Sequence, residues 1–295
     1  MAASFDLGRI GAWTHLDSLS SADARAWTRR VEELGFGTLW VPETVGREPL
    51  TLLGMLSGET SRIKLGTSIV SIWGHDAQST RMAAMTLAEA TAGRFVLGLG
   101  VSHPHLAAKL RGHAFDRPVT RMREFIGAYR SAIYKGPMTD AAEPPILVAA
   151  LRERMTDLAA TDSDGAFPYL VTADRVRWMR DRLDAAAPAT RPTLAVTLPF
   201  AMEDRSRDAA RAYLKPYLRT PTYHASWELQ GFDASDWEQP GSDRLVDAMI
   251  VTGSADDARS RVVELVAAGA AHVAVIPIGP DGSTEHLPAL EALAP

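Results

Sequence analysis

Gly93-Arg94-Phe95-Val96-Leu97-Gly98-Leu99-Gly100-Val101-Ser102 holds the pattern on which the fold turns. Phe95–Val101 is apolar at consecutive positions, which suits a strand buried on both faces rather than one with a wet side. A helical-period stretch, Thr80–Ala92, precedes it and another, Arg117–Tyr134, follows. The same alternation continues outward. Strands are predicted at Leu7–Trp13, Thr38–Pro42 and Ile63–Ile72 on one side, and at Ile146–Ala150, Gly165–Val171, Thr193–Ala201 and His272–Ile278 on the other. Helical patterns fill the gaps, among them Ser21–Leu34, which Gly35 and Gly37 stop. Eight buried strands alternating with helices predict a (β/α)8 TIM barrel, an α/β fold, in preference to an open doubly wound sheet. No linker divides the chain, so residues 1–295 read as one domain.

Two connections exceed what a barrel needs. Ser102–Asp116 follows the fourth strand, and a helical insertion over residues 203–252 separates the seventh and eighth. Long connections in compact domains usually carry function or extra helices. The second holds Tyr213, Tyr217, Tyr223, Trp227, Phe232 and Trp237. These aromatics suit local packing or a subunit interface, or alternatively a wall of the substrate pocket.

Composition narrows the function. A formal net charge of −5 without a basic run argues against nucleic acid. No apolar run reaches the ~18 residues of a membrane span, and Met1–Asp6 lacks a secretion signal. The expectation is a cytoplasmic protein acting on a small-molecule substrate. The absence of cysteine removes disulfides, thiolate metal sites and thiol nucleophiles. Apart from His103-Pro104-His105, no histidine pair or carboxylate–histidine cluster stands at ligand spacing, so no metal site is expected. There is no Gly-x-Ser-x-Gly elbow for a serine hydrolase.

Barrel enzymes place their chemistry at the carboxyl ends of the strands. Those ends read Trp13-Thr14-His15, Pro42-Glu43-Thr44, Ser71-Ile72-Trp73-Gly74-His75, Gly100-Val101-Ser102-His103 and Ala149-Ala150-Leu151-Arg152. Glu43 is the first candidate for proton donor or orienter, because a carboxyl among apolar groups has its pKa raised. Its alternative role is to pair with Arg47 or cap a helix. His75 is the second candidate, set against a surface loop histidine. Trp73 and Trp13 could wall a flat ring or a substrate, although core packing also suits Trp13. Gly98 and Gly100 permit close backbone approach. They lack the third glycine and the early position of a dinucleotide fingerprint, so a Rossmann reading fails.

The segment Gly93–Ser102 resembles the fourth strand of the luciferase-like flavin and deazaflavin oxidoreductases. Leu65-Gly66-Thr67-Ser68-Ile69 is similar to their third strand, and Leu34–Trp40 to their second. Leu39–Arg47 and Gly241–Ala248 resemble a subfamily of coenzyme F420-dependent oxidoreductases. The resemblance spans nearly the whole chain. It implies hydride transfer between F420 and a small organic substrate, with FMN as the alternative cofactor in a monooxygenase. It also implies a homodimer, for which Met82, Met85 and Leu87 could supply an apolar face. A non-proline cis peptide is implied near Ser68-Ile69, behind the cofactor ring, beside Thr67. Gly98, Gly100, Val101, Ser102 and His103 would lie along the cofactor, with Trp13 nearby. Backbone amides at Ala149-Ala150-Leu151 and around Gly165-Ala166 would hold its phosphate end. Two positions depart from the family pattern: Arg152-Glu153 stands where Gly-Pro is usual, and Phe167 where His is common. Arg152 could add a charge-assisted phosphate contact. The departures also keep open a degenerate paralogue that binds a flavin or deazaflavin without turnover.

Overall fold

The strand expected over Ile63–Ile72 is divided. β3 (Lys64–Thr67) and β4 (Val70–Ser71) flank a cis peptide bond between Ser68 and Ile69, where the resemblance implies one. In the computed structural model, which describes residues 5–137, 143–187, 189, 191–202 and 206–295, the preceding strands are β1 (Ile10–Trp13) and β2 (Thr38–Val41). The later ones are β5 (Phe95–Gly100), β6 (Ile146–Val148), β7 (Gly165–Ala166), β8 (Thr193–Met202), β9 (Val251–Gly253) and β10 (His272–Ile278). All pairings are parallel. They run β1-β2-β3-β5-β6-β7-β8-β10, and β10 returns to β1 with Ile10 opposite Val273. The ring is a closed eight-stranded barrel, as expected from the alternation.

Outside the barrel stand α1 (Ser21–Glu33), α2 (Pro49–Ser57), α3 (Ala77–Ala90), α4 (Pro118–Ser131), α5 (Glu153–Asp162) and α6 (Ala173–Ala186). Ser20, Asp76 and Thr172 cap α1, α3 and α6, each side chain accepting a hydrogen bond from a first-turn amide. Such a cap is worth about 1 kcal/mol. After β5 the chain makes a π-helical turn, Leu106–Leu110, before α4. After β8 come α7 (Ser206–Leu214), a 3-10 turn at Tyr217–Arg219, α8 (Pro221–Glu228), α9 (Ala234–Trp237) and α10 (Asp243–Met249). α11 (Ala255–Ala267) and α12 (Leu287–Ala292) complete the order. No helix among the described residues is long and apolar enough to cross a membrane.

Two expected boundaries move. The sixth strand was expected over Gly165–Val171 but pairs only at Gly165 and Ala166. Beyond it the free edge of β8 is taken by β9, with Phe200 opposite Val251. The insertion expected over 203–252 therefore ends before β9, a three-residue strand too short to show a period. Residues 203–205, at its start, lie outside the described residues.

The strands feed two cores by alternation. Leu39 and Val41, Leu97 and Leu99, and Val273 and Val275 face the helices. Trp40, Val96, Leu147, Ala195, Ala274 and Ile276 fill the barrel. Trp40 has room there because its neighbour is Gly66, where a Cβ would stand 2.3 Å from the indole. Its Nε1–H donates to His272 Nε2 at 2.9 Å, and His272 Nδ1 bonds to the Gly8 carbonyl at 2.7 Å. Burial lowers the His272 pKa to about 4, so this fully buried imidazole is neutral and serves the core.

Candidate active site

A cavity of about 1000 Å³ opens at the carboxyl ends of the strands. Trp13 and His15 enter from the end of β1, and Pro42, Glu43 and Thr44 from the end of β2. Ser68 and Ile69, the cis pair, form part of the wall. Val101–Leu106 after β5, Ala149–Met155 after β6, and Phe167 and Tyr169 after β7 continue it. The long connection after β8 closes the ring with Pro216, Tyr217, Thr220, Thr222 and Tyr223. A cavity at this end, walled mainly by apolar groups with a few polar ones, has the form of a small-molecule site.

The residues singled out in the sequence divide between the wall and the layer behind it. Trp13, Glu43, Ser68, Ile69, Val101, Ser102, His103, Ala149, Ala150, Leu151, Arg152 and Phe167 line the cavity. Thr67, Trp73, His75, Gly98, Gly100, Gly165 and Ala166 do not. Thr67 and Gly98 face each other across two strands: the threonine Oγ1 donates to the Gly98 carbonyl at 2.9 Å and accepts from its amide at 2.8 Å. A Cβ on Gly98 would stand 1.9 Å from the Thr67 carbonyl oxygen, and one on Gly100 2.5 Å from the Ile69 side chain. Gly165 has φ +156° and a similar close approach, 2.0 Å, to the Thr193 carbonyl. These glycines let strands touch, and through Ile69 they set the wall. Ser102 takes a left-handed conformation, φ 52°, at the turn from β5 into the cavity rim. Phe167 packs edge-on to Trp40, 4.7 Å between ring centres, and so forms the floor.

Glu43 is engaged on both oxygens. Oε1 pairs with Arg111, while Oε2 accepts from the Ser71 amide at 2.8 Å and bonds to His75 Nε2 at 3.0 Å. Its side chain is 6% exposed. The alternative partner, Arg47, instead binds the Leu19 carbonyl, Ser21 and Asp17, and the cap of α2 is Glu48. Hydrogen bonding to Glu43 raises the His75 pKa, against an opposing effect of burial. Trp73 donates from Nε1 to the Val101 carbonyl at 2.8 Å and packs on Phe115, 5.7 Å between ring centres. Both side chains thus hold the connection after β5 against the end of β4. Sequence reasoning missed Arg111. Its trace was Gly74, where a Cβ would stand 2.2 Å from the Arg111 guanidinium.

The N-terminus of α5 also reaches the cavity. α5 begins at Glu153, and its N-cap, Arg152, gives no side-chain cap; the Met155 amide bonds to the Arg152 carbonyl at 3.1 Å, which leaves the amides of Glu153 and Arg154 at the cavity end of the helix. Arg152 and Arg154 flank that end, both exposed and both on the cavity wall. Arg175 donates to the Leu151 carbonyl at 2.7 Å and fixes the approach to the helix.

Tyrosines fill the remaining side. Tyr169 OH is bonded to Tyr213 OH and lies 2.9 Å from Tyr217 OH. Tyr223 sits 5.2 Å from both Tyr217 and His103, ring centre to ring centre. Burial, then the charge of His105, lowers the His103 pKa to about 4, so this imidazole is neutral near pH 7. Its Nδ1 and the Trp13 Nε1 are buried without a hydrogen-bond partner. Of the insertion's aromatics, Tyr217 and Tyr223 reach the wall, while Tyr213, Trp227 and Phe232 are packed behind it.

Comparison with known proteins agrees with this architecture. The chain is 26% identical to the "Putative coenzyme F420-dependent oxidoreductase Rv3520c" of Mycobacterium tuberculosis, covering 99% of this chain and 100% of that one. It superposes on a coenzyme F420-dependent tetrahydromethanopterin reductase from Methanopyrus kandleri with TM-score 0.77 and 19% identity, over 97% of this chain and 98% of that one. An F420-dependent secondary alcohol dehydrogenase, solved with an F420-acetone adduct, gives TM-score 0.77 at 12% identity over 98% of both chains. At such identities the two structures speak for the fold alone. The model of the luciferase-like monooxygenase family matches residues 1–272, and the chain belongs to that family.

Proposed function

We propose that this chain is a coenzyme F420-dependent oxidoreductase, transferring a hydride between the deazaflavin and a small organic substrate. The observation that carries the reading is the division within one cavity. An apolar bed formed by the cis pair, Val101 and Phe167 runs toward an open helix N-terminus flanked by two arginines. A planar ring with a phosphate-bearing tail has the same division. Relatives named for F420 favour the deazaflavin over FMN.

Ser68, Ile69, Val101, Ser102 and Phe167 would hold the ring, with Trp13 and His103 beside it. Ala149, Ala150, Leu151 and Arg152 would hold the phosphate with the first amides of α5. Thr67, Gly98, Gly100, Gly165 and Ala166 serve from the layer behind. When bound, the deazaflavin supplies two-electron hydride chemistry. The protein places the reacting carbon, excludes water and manages a proton. Glu43 has both oxygens engaged, so we assign it, with His75 and Trp73, to positioning the connection after β5 at the cavity mouth. We read residues 1–295 as one unit, a reading that the pairing of β1 with β10 supports. We further propose a homodimer using Met82, which is 51% exposed on α3; Met85 and Leu87 are buried against the barrel and do not share that face.

The test is titration of the purified chain with F420 and, separately, FMN, followed by quenching of its seven tryptophans. Saturable binding of F420 in preference to FMN is expected. Preference for FMN, with oxygen consumption, would replace the reading by a monooxygenase. Binding of neither would mean that Arg152 and Phe167 mark a degenerate or repurposed site.

A further inference from the structure

Three phenol hydroxyls meet at one edge of the cavity. Tyr169 comes from the connection after β7, Tyr213 from α7 and Tyr217 from the 3-10 turn. A phenol O–H has one proton to give. Tyr169 gives its proton to Tyr217 at 2.9 Å, so the bond between Tyr169 and Tyr213 must be donated by Tyr213. The chain therefore runs Tyr213 to Tyr169 to Tyr217. Tyr217 is its last member, its own proton unspent, and it lines the cavity with Tyr169 while Tyr213 is buried behind.

That arrangement has a chemical consequence. Hydrogen bonds in series polarise one another, so the terminal hydroxyl is a stronger donor than an isolated phenol. A hydrogen bond accepted by a phenol oxygen also favours its anion. Burial raises all three pKa values, Tyr169 and Tyr213 well above 10, whereas the hydrogen bond from Tyr169 works against the rise at Tyr217. Tyr217 is thus the acid of the set. Glu43 and His75, the acids suggested by the sequence, are tied to each other and to Arg111.

The geometry points to Tyr217 as the hydroxyl that binds and protonates a substrate oxygen, with Tyr169 and Tyr213 as positioning residues behind it, and to an aryl or similarly apolar ketone, or its secondary alcohol, as the substrate class. The inference rests on the hydride-transfer reading for its chemistry, though not for its binding step. In reduction, a bound reduced deazaflavin would supply the hydride that forms the new C–H bond at the carbonyl carbon and would itself be left oxidised. The C=O π pair moves to oxygen, which forms an O–H bond with the Tyr217 proton. Tyr169 stabilises the Tyr217 phenolate by its donated hydrogen bond. Water entering the open cavity restores the proton after the alcohol leaves, and oxidation runs the same steps backward.

The test uses the full chain without added cofactor. Acetophenone and α-methylstyrene have the same shape, with CH2 in place of the carbonyl oxygen. Dissociation constants for the two are read by tryptophan quenching. The wild type is expected to prefer the ketone about tenfold, the effect of one well-placed hydrogen bond, and Tyr217→Phe to abolish the preference. Tyr213→Phe should keep part of it, because only the end of the chain is cut. Tyr217→Phe retaining the full preference, or a wild type that binds neither probe, would overturn the assignment. Should Tyr217→Phe fail to fold, NMR titration of ring-labelled tyrosine in the wild type decides instead. Tyr217 must ionise before Tyr169 and Tyr213, and any other order overturns the chain. Because F420 is absent throughout, loss of the deazaflavin reading and loss of this inference give different results.

Discussion

Arg111 reaches the Oε1 of Glu43 from sixty-eight residues further along the chain, joining the connection after β5 to the end of β2. Glu43 is nearly fully buried and Arg111 is 24% exposed, so the pair works where water screens little. Arg111→Met leaves a buried carboxylate with only His75 and the Ser71 amide. The expected loss is about 3 kcal/mol, typical of stranding one member of a buried pair, and urea denaturation reads it. Adding Glu43→Gln should recover part of the loss, since an amide needs no counter-charge. If the two substitutions instead destabilise independently, the pair is not coupled.

His75 makes the same cluster sensitive to pH. Its hydrogen bond to Glu43, outweighing burial, holds the imidazolium above the ordinary 6.5. The folded state binds that proton more tightly than the unfolded chain. Its stabilisation is therefore complete below pH 6.5 and is lost as pH rises through the elevated folded value. A melting series from about pH 6 to about pH 9 should fall more steeply for the wild type than for His75→Gln. Parallel curves would remove His75 from the stability of the mouth.

The barrel was legible because buried parallel strands leave continuous apolar runs. Phe95–Gly100 and His272–Ile278 needed little correction. β9 was hidden because three residues carry no period, and β7 was overextended because Phe167 and Tyr169 serve the cavity wall and Leu170 and Val171 the cores, rather than a ladder. Site residues at strand ends followed from the barrel rule. Arg111 and Tyr169 did not, since their partners lie far off in sequence and nothing local marks the meeting. Gly98 and Gly100 were noticed for the right property, close approach, but what comes close is Thr67 and Ile69.

That distinction separates two glycine substitutions. In Gly98→Ala the new methyl meets the Thr67 carbonyl, a backbone atom that cannot swing away. A loss of about 3 kcal/mol is expected. In Gly100→Ala the methyl meets the tip of Ile69, a side chain that can turn. The stability cost should be nearer 1 kcal/mol, but Ile69 is then pressed into the cavity, and F420 binding should weaken several-fold. Equal effects on melting temperature and on F420 affinity from both variants would contradict this division.

Arg152 and Arg154 stand exposed beside the first amides of α5, where the proposed function places a phosphate. If Arg152 serves a phosphate, its charge matters more than its shape, because the helix amides already supply directed donors. Arg152→Gln should raise the F420 dissociation constant about tenfold at low salt, and Arg152→Gln/Arg154→Gln further. The difference from wild type should shrink toward 1 M salt, where the Debye length falls to about 3 Å. Isothermal titration at two ionic strengths reads both effects. Unchanged affinity at low salt would mean that Arg152 only caps the route to the helix, and that the amides of α5 hold the phosphate unaided.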